Sequence, residues 1–282
     1  MTEWTEGEVY ANGINIHYYR SDGSNKPSIL LLHGFTDNGL CWSRVAHELE
    51  DSYDVVMTDA RGHGRSGGIA TGFSTTILAD DAAALIRALG LEKPYLFGHS
   101  MGARTAATVA ANYPDLVRAI VLEDPPLVER LPFQTNGGQA GRWQWVFDLK
   151  ALPREERIAR GFAMNPNWAE EDVIPWADSK AEVQTDVLER GGAPGSYPWR
   201  EIIARIACPI LLITADPELG AIVTPEAAQQ AAQLWQHGEV VHIPGAGHNI
   251  RRDRYDEMMA AVKAFLNRED LSEPLSGSAS HF

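Results

Sequence analysis

One stretch, Pro94-Tyr-Leu-Phe-Gly-His-Ser-Met-Gly-Ala-Arg104, constrains the fold of this chain more than any other. A short apolar run, Tyr95 to Phe97, passes directly into Gly98-His99-Ser100-Met101-Gly102, and small residues suited to a helix follow. A strand that becomes a helix within so few residues needs glycines at 98 and 102, where a Cβ would crowd the neighbouring strand or helix. The turn holds Ser100 in a strained backbone conformation and projects its hydroxyl beyond the strand end. Ser100 also stands at the positive end of the following helix, which favours a developing anion beside it. A glycine-rich turn with an incidental serine is the plainer reading of five residues. The apolar run before them and the helical pattern after them favour a reactive serine.

The rest of the chain supplies a sheet for that turn. Glu8 to Ala11 and Ile14 to Tyr19 alternate like strands around Asn12-Gly13, a hairpin signal. Ser28 to Leu32 is an apolar run of the kind found in strands buried on both faces. A helix is expected over Asp37 to Glu50 and a strand over Tyr53 to Thr58. Thr75 to Leu89 carries Ile77, Leu78, Leu85, Ile86 and Leu89 among alanines and reads as a helix ending at Gly90. Met101 to Tyr113 is a helix stopped near Pro114, and Leu116 to Leu122 is another buried strand. This alternation predicts an α/β fold with a parallel sheet covered by helices on both faces. From Leu127 to about Arg205 the rhythm is lost, and Trp143, Trp145, Trp168, Trp176 and Trp199 gather there, most of the chain's eight tryptophans. Helical composition covers Lys150 to Asn165 and Ala169 to Arg190. The rhythm returns with a strand at Cys208 to Thr214, a helix at Pro225 to Gln236 capped by Thr224, a strand at Glu239 to Ile243 and a helix at Arg254 to Asn267. The expected organisation is a core of 1–126 and 206–270, an inserted helical segment of 127–205 and a flexible tail of 271–282.

Three further motifs stand beside the serine turn: His33-Gly34-Phe35-Thr36 after a buried strand, Asp59-Ala-Arg-Gly-His-Gly-Arg-Ser66, and Pro244-Gly-Ala-Gly-His248-Asn249 after the last strand. Together they resemble the α/β-hydrolase family. The resemblance implies a mostly parallel central sheet and makes the inserted segment a helical cap over an active site. It implies Ser100 as nucleophile and, by chain order, His248 as the base that takes its proton. It also implies an oxyanion hole formed by the backbone N–H groups of Phe35 and Met101, because a tetrahedral intermediate puts a full charge on one oxygen. The Asp59 loop reads as structural, and His63, lying before the nucleophile, reads as part of it. Three carboxylates compete to orient His248. The family's usual place is the loop after the strand Ile210 to Thr214, where aligning Ala215 with the glycine of a G-x-x-D pattern selects Glu218. Asp124 at the end of the preceding strand and Asp216 nearer the strand end are the alternatives. His33, Gly34, His99, Trp143 and Trp176 are expected to touch substrate, the tryptophans because ligand sites are mainly apolar and aromatic.

Composition narrows the partners. The net charge of −14 argues against nucleic acid and anionic membrane surfaces and mildly disfavours polyanionic substrates, although a local pocket can contradict it. Two distant cysteines, Cys41 and Cys208, supply neither a disulfide framework nor a metal-binding spacing and read as buried thiols. No secretory signal or membrane span is visible, so a cytoplasmic monomer or homodimer is expected. The function expected is a serine hydrolase, with no metal or organic cofactor, cleaving the ester or lactone of a small apolar or aromatic molecule through an acyl-enzyme. A C–C bond hydrolase of ring-cleavage products, an amide or carbamate hydrolase, and a triad-bearing small-molecule receptor are the alternatives.

Overall fold

A computed structural model of the chain describes residues 4–22, 25–129, 141–190 and 196–272. Eight strands form one sheet: β1 (Thr5–Ala11), β2 (Ile14–Arg20), β3 (Ser28–Leu32), β4 (Asp54–Thr58), β5 (Tyr95–His99), β6 (Ile120–Glu123), β7 (Ile210–Thr214) and β8 (Gly238–His242). Their order is β1-β2-β4-β3-β5-β6-β7-β8. β2 runs antiparallel to β1 and to β4, and every other neighbouring pair is parallel. The β1–β2 hairpin closes through Asn12 and Gly13, both at positive φ (48° and 82°), as that turn requires.

Alternation along the parallel strands sends side chains to two covered faces. Leu30, Leu32, Leu96 and Leu122 pack against α2 (Thr75–Ala88) and α3 (Met101–Asn112). Ile29, Leu31, Phe97 and Val121 pack on the opposite face with residues of α1 (Ser43–Leu49). The expected fold class therefore holds, a mostly parallel sheet buried between helices. The chain proceeds from β3 outward to β4 and then returns to place β5 on the other side of β3. The crevice where strand order reverses, at the carboxyl ends of β3 and β5, is where open α/β sheets bind ligands. It receives both the His33-Gly34 loop and the Ser100 turn.

The inserted segment contributes α4 (Gln144–Lys150), α5 (Arg154–Met164), α6 (Glu170–Glu182) and α7 (Thr185–Arg190). The expected helix over Ala169 to Arg190 is broken because Gln184 leaves it to dock on the core. Its N–H donates to the Gly62 carbonyl (2.9 Å) and its side chain to the Ser66 carbonyl (3.3 Å). α8 (Trp199–Ala204) also departs from expectation: Trp199, Ile202 and Ile203 pack into the main core with α3. The helix expected from Asp37 is a 3-10 turn at Gly39–Trp42 before α1, since the Asn38 side chain accepts from Cys41 N–H and tightens the start. The strand expected from Leu116 begins only at Ile120, because Pro114–Leu116 forms a 3-10 turn. After β7 come α9 (Pro225–Ala232), with the Thr224 hydroxyl capping it, then the short α10 (Ile250–Asp253) and α11 (Tyr255–Ser272). Most of the tail expected to be flexible, 273–282, lies outside the described residues. Cys41 and Cys208 are free thiols, the first buried and the second partly so. Among the described residues no helix is long and apolar enough to cross a membrane.

Candidate active site

The serine turn is as tight as its glycines require. A Cβ on Gly98 would lie 2.3 Å from the Gly102 carbonyl oxygen, and one on Gly102 would lie 1.9 Å from that of Leu32. No side chain fits either place. Ser100 sits between them at φ 53°, ψ −110°, a conformation that costs a non-glycine residue on the order of 1–3 kcal/mol. Its N–H donates to the Glu123 carbonyl (2.9 Å) and its carbonyl accepts from Arg104 N–H (3.1 Å), so strand and helix hold the strain in place.

His248 reaches the serine from the loop after β8. Its Nε2 lies 3.0 Å from Ser100 Oγ, and its Nδ1 lies 2.6 Å from Asp124 Oδ2. Asp124 is fully buried, and its carboxylate also accepts the N–H groups of Ile222 (2.8 Å) and Val223 (2.9 Å). An ionised carboxylate only accepts, so it keeps the imidazole proton on Nδ1 and leaves the Nε2 lone pair facing the serine hydroxyl.

The expectation for Glu218 does not match this arrangement. Glu218 lies exposed on the 3-10 turn Pro217–Leu219, and the carboxylate against His248 is Asp124. Asp216 is engaged elsewhere, taking His242 Nε2 at 2.9 Å and Gly245 N–H at 2.7 Å. Asp124 reaches the histidine because β6 is the immediate neighbour of the serine strand and the aspartate turns back at φ 41°.

Phe35 and Met101 line the same space, and neither backbone N–H has an acceptor among the described residues. The Phe35 loop is fixed from both sides. Thr36 (φ 69°) gives its carbonyl to Lys180 Nζ of α6 at 2.9 Å, and Asp37 N–H closes back on the Gly34 carbonyl at 3.1 Å. His33 and Gly34, expected to touch substrate, are not among the residues that line the cavity; His33 braces the loop instead. His33 donates from Nδ1 to the Gly34 carbonyl (2.8 Å) and accepts Ala60 N–H at Nε2 (3.0 Å). His99 does line the cavity, and its Nε2 donates to the His248 backbone carbonyl at 2.9 Å, steadying the loop that carries His248.

The Asp59 loop has the structural role expected of it. The Asp59 carboxylate accepts Gly39 N–H (2.7 Å), Arg65 N–H (3.0 Å) and His17 Nδ1 (3.0 Å). His63 lies buried there, bonded through Nδ1 to the Arg61 carbonyl at 3.0 Å.

Burial holds His33, His63 and His99 below their ordinary value, His63 at about 3 with the neighbouring His33 adding to the effect and His99 far down with Arg251 beside it. Each is neutral in the fold and gains a proton only on unfolding. The stability they give is full above about pH 6.5 and is lost as pH falls, by up to about 1.4 kcal/mol per pH unit for each histidine. Burial raises the Glu123 and Asp81 carboxyls, whose opposite sign offsets part of this slope at lower pH. We expect the midpoint of thermal unfolding to fall between about pH 7 and pH 5. His63→Asn, which keeps a donor for the Arg61 carbonyl, should flatten that slope; an unchanged slope would contradict the neutral assignment.

A cavity of about 350 Å³ borders Ser100 and His248, walled by Phe35 and Pro126 of the core and by Trp143, Trp145 and Trp176 of the inserted segment. Trp143 and Trp176 were expected there, whereas Trp145 was not singled out. Trp168 instead donates to Asp253 (2.8 Å), and Trp199 is core. Asp37 and Arg252 of the wall belong to a buried ionic cluster drawn from four distant segments. Asp37 accepts from Lys180 Nζ (2.8 Å), Arg252 Nη2 (2.8 Å) and Arg251 Nη2 (3.4 Å), while Arg251 also pairs with Glu123 (2.9 Å). Burial alone would raise the Asp37 carboxyl, but Arg252, Lys180 and Arg251 override it and hold the group well below the usual carboxylate range.

Residues 27–251 match the family model described as alpha/beta hydrolase fold. The chain belongs to the α/β-hydrolase fold family. Among α/β-hydrolase relatives, it is 30% identical over 262 residues to the 2-(acetamidomethylene)succinate hydrolase of Mesorhizobium japonicum, spanning 88% of this chain and 90% of that protein. It is 28% identical over 271 residues to the N-formylmaleamate deformylase of Pseudomonas putida, spanning 93% and 96%. The crystal structure of an N-formylmaleamic acid deformylase from Pseudomonas putida superposes with a TM-score of 0.77 at 25% identity, covering 92% of this chain and all of that one. Sequence reasoning missed Asp37, Lys180 and Arg104 as parts of this α/β-hydrolase site. Arg104 alone left a signal, as a single charge in an alanine-rich helix one turn after the serine.

Proposed function

We propose that this protein is a serine hydrolase that cleaves an acyl C(=O)–O or C(=O)–N bond through an acyl-enzyme. The observation that carries the reading is the continuous contact from Ser100 Oγ through His248 to Asp124, at the floor of an aromatic cavity. Ser100 Oγ attacks the carbonyl carbon as His248 Nε2 takes its proton. The oxyanion forms against the Phe35 and Met101 N–H groups, a reading supported by both residues lining the cavity and by neither N–H having an acceptor among the described residues. His248 passes the proton to the departing oxygen or nitrogen, the C–O or C–N bond breaks, and the acyl group remains on Ser100. Water, deprotonated by His248, then attacks the acyl ester, and the proton returns to Ser100 Oγ as the acid leaves. Asp124 holds the imidazole in the required tautomer and stabilises the imidazolium.

Two relatives carry names of N-acyl compounds, a formyl and an acetamido derivative. That favours an amide-type bond beside the ester or lactone expected from the sequence. The test is mass spectrometry of the protein mixed with 4-nitrophenyl acetate, followed by turnover of matched esters, lactones and anilides. A transient acetyl adduct on wild type, absent from Ser100→Ala, is the expected result. An adduct of equal yield on Ser100→Ala would remove the serine from the chemistry.

A further inference from the structure

The chain carries an excess of 14 negative charges, yet the cavity wall is positive. Its charged side chains are Arg104, Arg142, Arg252 and one carboxylate, Asp37, which is already shared among three cations. The ionic cluster to which Arg252 and Asp37 belong contains three cations against two carboxylates, Asp37 and Glu123.

Arg104 is the informative residue. It is 8% exposed, and no carboxylate meets it among the described residues. Its Nε and Nη2 donate to the Pro126 carbonyl and Nη2 also to that of Val128 (2.8 Å), while Tyr197 stacks 4.3 Å beneath the guanidinium. Nη1 has no acceptor among the described residues. Burial lowers this guanidinium to about 10, so it remains charged at neutral pH. A buried cation without a counter-charge is expensive, and two carbonyls with one aromatic face do not supply a full negative charge. The same wall holds a second unused donor, Trp143 Nε1, buried and without an acceptor among the described residues. Arg142 extends over the Trp143 ring at 4.7 Å, adding another guanidinium at that end.

We propose that this end of the cavity is a carboxylate subsite, in which Arg104 and Arg142 with Trp143 Nε1–H hold a free carboxylate of the substrate while Ser100 attacks its other acyl group. The inference rests on the serine-hydrolase reading and narrows it: the substrate is a small half-ester or half-amide of a short dicarboxylic acid, or an equivalent acyl compound bearing one carboxylate. Arg104 keeps only its Nη1 N–H groups for a ligand, and guanidinium and indole N–H groups can only donate, so all three groups select an acceptor-only anion. Arg104 lies one helical turn after Ser100, about 6 Å along α3, which keeps the two acyl groups close together. The cavity volume of about 350 Å³ is near the lower end for ligand sites and agrees with a small molecule.

Monoethyl succinate and diethyl succinate differ by one charge and share the acyl group to be attacked. Wild type is expected to favour the monoester in kcat/KM by on the order of 10²-fold, and Arg104→Gln should collapse that ratio toward one. Because Arg104 also holds two backbone carbonyls, Arg142→Gln, at a partly exposed site, is the second variant and should lower the ratio at least about tenfold. Calorimetric titration of Ser100→Ala with each ester reads binding without turnover. Equal kcat/KM for the two esters in an active enzyme would overturn the subsite and leave the hydrolase standing. Absence of turnover, with Ser100→Ala binding only the monoester and losing it on Arg142→Gln, would uphold the subsite and overturn the hydrolase. Binding of neither ester, or of both alike, would overturn the subsite.

Discussion

Asp124→Asn is expected to lower kcat by on the order of 10⁴, whereas Glu218→Gln and Asp216→Asn should change it by no more than about threefold. The carboxylate of Asp124 accepts from His248 Nδ1 and from two backbone N–H groups at once. An asparagine has one acceptor oxygen for those donors. If the oxygen stays on the Ile222 and Val223 amides, the NH₂ faces His248 and forces the imidazole proton onto Nε2. The lone pair then no longer faces the serine hydroxyl. KM should change little, because Asp124 lies behind the histidine and does not line the cavity. Steady-state kinetics on the best panel substrate, with the thermal midpoint as a folding control, check this directly. A folded Asp124→Asn retaining a tenth of wild-type activity, beside an inactive Glu218→Gln, would reverse the assignment.

Asp37→Ala should cost about 3–5 kcal/mol, the usual penalty for leaving buried charges without their partner. Its carboxylate is the common anion for Lys180, Arg251 and Arg252, each with at most 1% of its side chain exposed. Removing it leaves three buried cations with Glu123 alone. At roughly 2–4 °C per kcal/mol for a chain of this size, the thermal midpoint should drop by about 6–20 °C. Lys180→Met in the same background removes one of the uncompensated charges and should recover part of the loss, a coupling that a double-mutant cycle isolates. A fall of less than about 2 °C, or strict additivity of the two changes, would show that the cluster does not act as a unit. Activity should also respond, since Lys180 ties α6 to the Thr36 carbonyl beside the Phe35 N–H.

What could be read from the sequence was what depends on local pattern. Gly98 and Gly102 are required by contacts with near neighbours, and the apolar runs at Ser28–Leu32 and Ile210–Thr214 record burial on both faces. His248 followed from chain order and a glycine-rich loop. The acid did not, because three loops end in carboxylates and only the adjacency of β6 to β5 brings one of them to the histidine. The ionic cluster had no local trace: Asp37, Glu123, Lys180 and Arg251 are distant in sequence and look like ordinary surface charges until folding buries them. Net charge misled about the pocket for a related reason. A surplus spread over an exterior says little about the few side chains that face inward.

The carboxylate of Asp124 is held by the main chain of Ile222 and Val223, and no side chain of that loop takes part. Any amino acid except proline brings the same N–H group. The positions after β7 that are not buried, such as Glu218 and Ile222, can therefore change across generations while the aspartate keeps its support, provided Ala221 and Val223 stay packed in the core. Descendants of a common ancestor would then keep the Asp124 contact while the exposed part of their β7 loops diverges. Those positions are free to adapt to other tasks, such as shaping the cavity wall at Ile222, without touching the donors that hold the Asp124 carboxylate.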